Sequence, residues 1–330
     1  MGVEILIIKY HDLARTGDIR PSRFISSASV ILYLYLLIGG IIASIPLFYI
    51  LFTNFEAFRD PLALTDSMGF LKKYVGPMPN YIFTNLSIFC MLLGVFIAVK
   101  FIHYRSFKSL ITTKKKIQWS RFFIGFFVYG IYSSLGTVVD YFISPDTYSL
   151  SFDASKFWIA LPIILIMTPI QASTEELVFR GYVIQSFGLK IKSGIILSVI
   201  SGALFTLPHL MNPEIYASSE IGVFSTICMI LNYFAIGVVL AIITIKTNSL
   251  EAAMGAHSVN NLICFLLVGY PDEALGTNTV FFTTKFDPIS GLVSVIIVGI
   301  LFYFTTAALI REPIILDTGT KQGSIKELGE

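Results

Sequence analysis

The sequence predicts an all-α, polytopic membrane helix bundle of about eight transmembrane helices with both termini cytoplasmic. Three observations predict it: apolar runs recur from residue 28 to residue 310, only 13% of the 330 residues are charged, and Lys and Arg fall unevenly between alternate loops. A water-soluble domain carries about 25% charged residues, whereas this chain is 55% hydrophobic with a mean hydropathy of +0.78. No stretch between the runs is long and polar enough to form a separate soluble domain.

A helix needs about 20 apolar residues to cross a bilayer. On that ground spans are expected near 28–53, 81–103, 122–143, 157–175, 194–211, 222–246, 249–269 and 290–310. An even number returns the C-terminus to the side of the N-terminus. With that side cytoplasmic, 17 Lys and Arg face the cytoplasm, seven of them between Lys100 and Arg121. The other side receives Arg59, Lys72, Lys73, Lys156 and Lys285, with Arg180 left beside the fourth span. This bias satisfies the positive-inside rule, and Trp119 and Trp158 fall at expected span ends, where indoles anchor at the interface. The first run follows a polar segment holding Lys9, Arg15, Arg20 and Arg23 and is long enough to span, so it is expected to stay as the first helix and not to be cleaved as a signal.

Composition divides the chain into a cytoplasmic N-terminal segment (1–27), three N-terminal transmembrane helices and their loops (28–156), a chemically distinct core (157–270), a loop with the last helix (271–310) and a cytoplasmic tail (311–330). A net charge of +2, spread over small clusters, forms no continuous basic face and excludes a nucleic-acid partner. Cys90, Cys228 and Cys264 lie in apolar runs without CxxC spacing, which points to packing and away from a disulfide framework or a thiolate zinc site. The setting is an integral membrane, expected to be the plasma membrane of a prokaryote.

The core is distinct because its apolar helices hold Glu175, Glu176, Arg180, His209, Glu251, His257 and Asn261. Ionisable groups are costly in lipid and mark function by default. Glu176 and Arg180 are four apart, in the favourable order for an ion pair on one helix face. Glu175 lies about 100° round the helix, because 3.6 residues make a turn, so one carboxylate can pair with arginine while the other looks elsewhere. The competing reading is an ordinary helix start, capped by Ser173 or Thr174 after a break at Pro169.

Phe205 and His209 form the second cluster, at the end of the fifth span, where Phe205 is placed to pack on the imidazole; a lone histidine there is more often an interfacial or hydrogen-bonded residue than a catalyst. The third is His257 with Asn261, whose spacing of four aims imidazole and carboxamide from one face, although such groups also serve as interhelical glue. A hairpin turning between Lys190 and Gly194 sets Glu175 and His209 at equal depth, each about 25 Å from its tip at 1.5 Å per residue. The expectation is a polar chamber some way below the cytoplasmic surface, lined by Glu175, His209, His257 and Asn261.

Taken in order, E-E-x-x-x-R, F-x-x-x-H and H-x-x-x-N on successive membrane segments resemble the CAAX-processing endoprotease and bacteriocin-immunity family (CPBP, or Abi). The resemblance covers roughly residues 157–268 and matches at Glu175-Glu176-Arg180, Phe205-His209 and His257-Asn261. It implies that 157–270 is the catalytic core of an intramembrane endopeptidase acting on membrane-associated peptides or proteins. In that reading Glu175 and His209 activate a water and His257 with Asn261 stabilises the oxyanion, supported by Glu176, Arg180 and Phe205. The residue chemistry allows it: a carboxylate withdrawn from water is a better base, an imidazole can hold the water and protonate the leaving amine, and amide and imidazole N–H groups suit an oxyanion.

No cofactor or metal is expected. A zinc version is the enzymatic alternative, since Glu175, His209 and His257 form a His2Glu set, but HExxH spacing is absent and Asn261 is a poor zinc ligand. A non-catalytic immunity protein or scaffold for a membrane signalling partner is the alternative from another class. A proton-coupled transporter is a third, weakened by the absence of a duplicated half. The expected partners are a peptide or membrane-protein substrate and the lipid bilayer.

Overall fold

A computed structural model describes residues 9–311 except 66, 272 and 274. Apart from Arg311, the expected tail lies outside the described residues. Backbone polar groups in a lipid core must be satisfied within the segment, and the apolar runs accordingly form helices: α1 (Pro21–Thr53), α2 (Pro77–Ile102), α3 (Trp119–Ile143) and α4 (Ala154–Phe187). They are followed by α5 (Gly194–His209), α6 (Pro213–Ile221), α7 (Val223–Lys246), α8 (Glu251–Leu262) and α9 (Pro288–Leu309). Among the described residues six helices are long and apolar enough to cross a membrane, and α5 with α6 makes a seventh if that pair, bent by 87°, counts as one span. The all-α polytopic bundle expected from sequence is therefore what forms.

Two of the expected spans depart from simple crossings. At 1.5 Å per residue α5 extends only about 24 Å, less than the roughly 30 Å of a hydrocarbon core; it stops at His209, and the chain turns through Asn212-Pro213 into α6. The expected seventh span is α8, 12 residues long and extended by five π-helical residues, Ile263–Leu267. It is almost wholly buried, sheathed by the other helices.

Small residues let these helices approach closely, the usual basis of helix packing in membranes. A methyl group on Gly125 of α3 would collide with the Ala252 carbonyl oxygen of α8, and one on Gly255 of α8 with the Phe122 carbonyl oxygen of α3. Gly202 of α5 meets Gly237 of α7 in the same manner. Helices α3 and α8 run in the same direction, as do α7 and α9 where Gly291 faces Asn232 and Gly299 faces Val239.

At one end of the bundle the 3-10 turn Tyr10–Thr16 docks beside the α4–α5 turn and buries Tyr10, Leu13 and Ala14. At the other end, three short strands join the α3–α4 and α8–α9 connections. β1 (Tyr148–Leu150) pairs antiparallel with β3 (Phe281–Thr283), which pairs parallel with β2 (Val268–Gly269).

Candidate active site

Helix α4 begins with Asp153 as N-cap, its carboxylate accepting from the backbone of Ser155 and Lys156. It then runs unbroken through Pro162 and Pro169 to Glu176. The break at Pro169 considered from sequence does not occur, and Thr174 caps nothing: its hydroxyl donates to the Ile170 carbonyl (2.7 Å). Glu175 and Glu176 are thus interior helix residues. Directly after them the helix widens into a π-helical stretch, Leu177–Val183, the kind of irregularity that often accompanies functional sites.

Glu176 and Arg180 are both fully buried, and Arg180 Nη1 donates to Glu176 Oε1 at 2.8 Å. Arg180 Nη2 reaches the Gly237 carbonyl of α7 (3.3 Å). The guanidinium also lies over the Phe205 ring, 4.2 Å from its centroid, a cation–π contact that is strongest where water is excluded. Phe205 also packs against His209, ring centroids 4.4 Å apart, with His257 edge-on at 5.8 Å. Phe205 thus packs against the guanidinium and both imidazoles at once.

Three hydrogen bonds orient the reactive groups. His209 Nδ1 lies 2.7 Å from the Phe205 carbonyl oxygen; a carbonyl only accepts, so Nδ1 carries the proton and the neutral ring presents Nε2 as an acceptor. His257 Nδ1 lies 2.8 Å from Glu176 Oε1, while its Nε2 is 3.8 Å from Glu175 Oε2. Gln171, one turn before Glu175, donates from Nε2 to Glu175 Oε1 at 3.5 Å.

Asn261 is oriented through its neighbour. The Tyr129 hydroxyl donates to Asn260 Oδ1 (3.3 Å), and Asn260 Nδ2 donates to Asn261 Oδ1 (3.1 Å). That leaves the Asn261 NH2 as a donor. Glu175, His209, His257 and Asn261 all line one cavity of about 570 Å³, together with Phe205 and Gln171; Glu176 and Arg180 lie behind its wall. Among the described residues no group of three His, Cys, Asp or Glu side chains is placed to hold a metal ion.

Sequence reasoning missed Gln171, Asn260 and Tyr233. Tyr233 packs its ring 4.6 Å from that of His209, and its hydroxyl accepts from Asn212 Nδ2 (3.1 Å). A polar pair, Asn232-Tyr233, inside an otherwise apolar run was the available signal, as was the spacing of four from Gln171 to Glu175. The missed outer wall comprises Glu214, Tyr270 and Glu273, with the Tyr270 hydroxyl donating to Glu214 Oε1 at 3.1 Å. Glu273, in the α8–α9 connection, is pushed up to about 8 by burial, with nearby Lys72 opposing the shift and Glu214 adding to it.

Comparison with known proteins adds two findings. Residues 155–263, about a third of the chain, match the family model described as type II CAAX prenyl endopeptidase Rce1-like. The chain is 35% identical over 211 residues to the uncharacterized protein YyaK of Bacillus subtilis (strain 168), an alignment covering 63% of this chain and 68% of that protein. No solved structure matches the chain.

Proposed function

The chain belongs to the CPBP family of CAAX-type membrane proteases, and from that premise we propose that it is a metal-free, glutamate-type intramembrane endopeptidase whose reacting groups are Glu175, His209, His257 and Asn261. The observation that carries the proposal is their convergence on one cavity inside the bundle, with His257 set between two carboxylates.

Each step draws on a group already in place. Glu175 Oε2 and the unprotonated Nε2 of His209 hold one water, and Glu175 takes its proton as the oxygen attacks the peptide carbonyl. The proton is then returned to the leaving amine nitrogen, so the C–N bond breaks without a net change at the carboxylate. Asn261 supplies an N–H to the oxyanion. His257 can do the same only with protons on both ring nitrogens, since Nδ1–H is committed to Glu176. The two carboxylates at 2.8 and 3.8 Å supply the counter-charge for that cationic ring. Arg180, Glu176 and Phe205 position these groups and touch no reacting atom. Substrates are membrane-associated peptides or proteins, and the Bacillus relative supports placement in a prokaryotic plasma membrane.

The test is cleavage of a quenched-fluorescent peptide library by detergent-purified protein, comparing wild type with Glu175→Gln and His209→Ala, with and without a strong chelator. Activity lost in both variants and indifferent to the chelator is expected. Loss on chelation with recovery on added zinc would transfer the mechanism to a metalloenzyme. A cellular phenotype retained by Glu175→Gln would favour the non-catalytic scaffold.

A further inference from the structure

The cavity has a direction. Beyond His209 and Asn261 its lining continues through Glu214 and Tyr270 to Thr283, Lys285 and Asp287, in the connection that leads into α9. No residue of 96–122, 180–204 or 238–256, the segments that build the opposite end of the bundle, lines it. The chamber expected some way below the cytoplasmic surface has walls that lead to the other end.

That opposite end is sealed by the N-terminal segment. The Tyr10 backbone N–H donates to Asn248 Oδ1 (2.7 Å) and its hydroxyl to the Leu110 carbonyl. Arg15 Nη2 donates to the Leu189 carbonyl (3.0 Å), and Lys192 pairs with Asp12 (2.6 Å). Below the plug Leu110, Ile184, Ile243 and Leu250 are fully buried. The sealed end also carries the Lys and Arg clusters that face the cytoplasm under the positive-inside rule. At the mouth, by contrast, Lys285 bridges Asp140 (3.2 Å) and Asp287 (3.8 Å), and the short sheet frames the rim. A rim of this kind suits a hydrated peptide better than a lipid tail, because polar groups there exchange partners with water at little cost.

We infer that the chamber is entered from the membrane face opposite the Lys- and Arg-rich one, so that its substrate is a peptide segment exposed on that face. The nature of the substrate rests on the proteolytic reading; the route does not.

Accessibility tests the route without any cleavage. In a background of Cys90→Ala, Cys228→Ala and Cys264→Ser, single cysteines are placed in the cavity wall (Asn232→Cys and, independently, Met229→Cys) and at the sealed end (Lys190→Cys). A membrane-impermeant sulfonated maleimide is applied to intact spheroplasts and to inverted vesicles. The cavity cysteines and Lys190→Cys should be labelled in opposite preparations. Labelling of both in the same preparation overturns the inference, as does failure of either cavity cysteine to react from any side while Lys190→Cys reacts. Peptide cleavage by detergent-solubilised wild type is read separately. Cleavage together with same-side labelling sinks the route alone, and opposite-side labelling without cleavage upholds the route while counting against the protease.

Discussion

His257 Nδ1 sits 2.8 Å from Glu176 Oε1, joining the second residue of the acidic pair on α4 to the imidazole of α8 across 81 residues of sequence. The same oxygen accepts from Arg180. Glu176 thereby couples a structural ion pair to the orientation of a ring facing the cavity.

Glu176→Gln should therefore have two effects. A carboxamide carries no charge and can turn its NH2 toward His257 Nδ1, so it no longer supports the doubly protonated ring that the oxyanion role requires, and kcat should fall on the order of 10²–10⁴-fold with KM nearly unchanged, as when a carboxylate that orients a histidine is neutralised. Arg180 loses its buried counter-charge as well, which costs about 3–5 kcal/mol when one partner of a buried pair is removed. Peptide cleavage and thermal unfolding read the two effects; kcat within tenfold of wild type would refute the orienting role.

Asn261 and Asn260 should separate cleanly. Asn261→Ala removes the oxyanion donor and should cost roughly 10²–10³ in kcat. Asn260→Ala leaves Asn261 in place and removes the bonds that tie it to Tyr129, of which the one orienting Asn261 is worth about 1 kcal/mol, or several-fold. Equal losses in the two variants would contradict the assignment of Asn261.

Gly255→Ala should lower the unfolding temperature, because the new methyl group meets the Phe122 carbonyl oxygen and overpacking of this sort costs about 1–3 kcal/mol. As His257 follows two residues later, activity should fall even at temperatures where the variant stays folded. An unaltered melting curve would show that α3 and α8 are free to separate.

Glu273 gives a pH dependence with a definite sign. Its proton is held up to about pH 8 in the fold against an ordinary value of 4.5, chiefly through burial. Between these values the unfolded chain has released a proton that the folded chain keeps, so stability falls as pH rises across the window and levels off above it. Unfolding midpoints of wild type and Glu273→Gln, measured in detergent from pH 5 to 9, should diverge in this manner, with the variant lacking that part of the slope. Parallel curves would remove Glu273 as the titrating group.

Periodicity made much of this legible before any coordinates. Apolar runs gave the helices, and spacings of four gave the Glu176–Arg180 pair and the shared face of His257 and Asn261, because a helix brings those positions together whatever surrounds it. What escaped were relations between helices. Nothing local says that Glu176 and His257 meet, or that Gln171 and Tyr233 face the same space. The early end of α5 at His209 was also missed: its residues are as apolar as those of a spanning helix, and only Pro208 and Pro213 hinted at the turn. Pro169 misled in the opposite sense, since neighbouring helices allow a proline to be carried inside a membrane helix.

The π-helical stretch after Glu176 sets a limit of another kind. Residues 177–183 carry the chain from the acidic pair to Ile184 and Gln185, both fully buried near the N-terminal plug. Each residue of an α-helix advances its face by about 100°. A π-helical turn, bonded i to i+5, holds more residues and so turns less per residue; the same seven residues wound as ordinary α-helix would re-phase everything downstream, the acidic pair keeping its place while the segment that meets the plug turned away. Beyond the ion pair that Arg180 makes, what this stretch has to preserve is its wide turn.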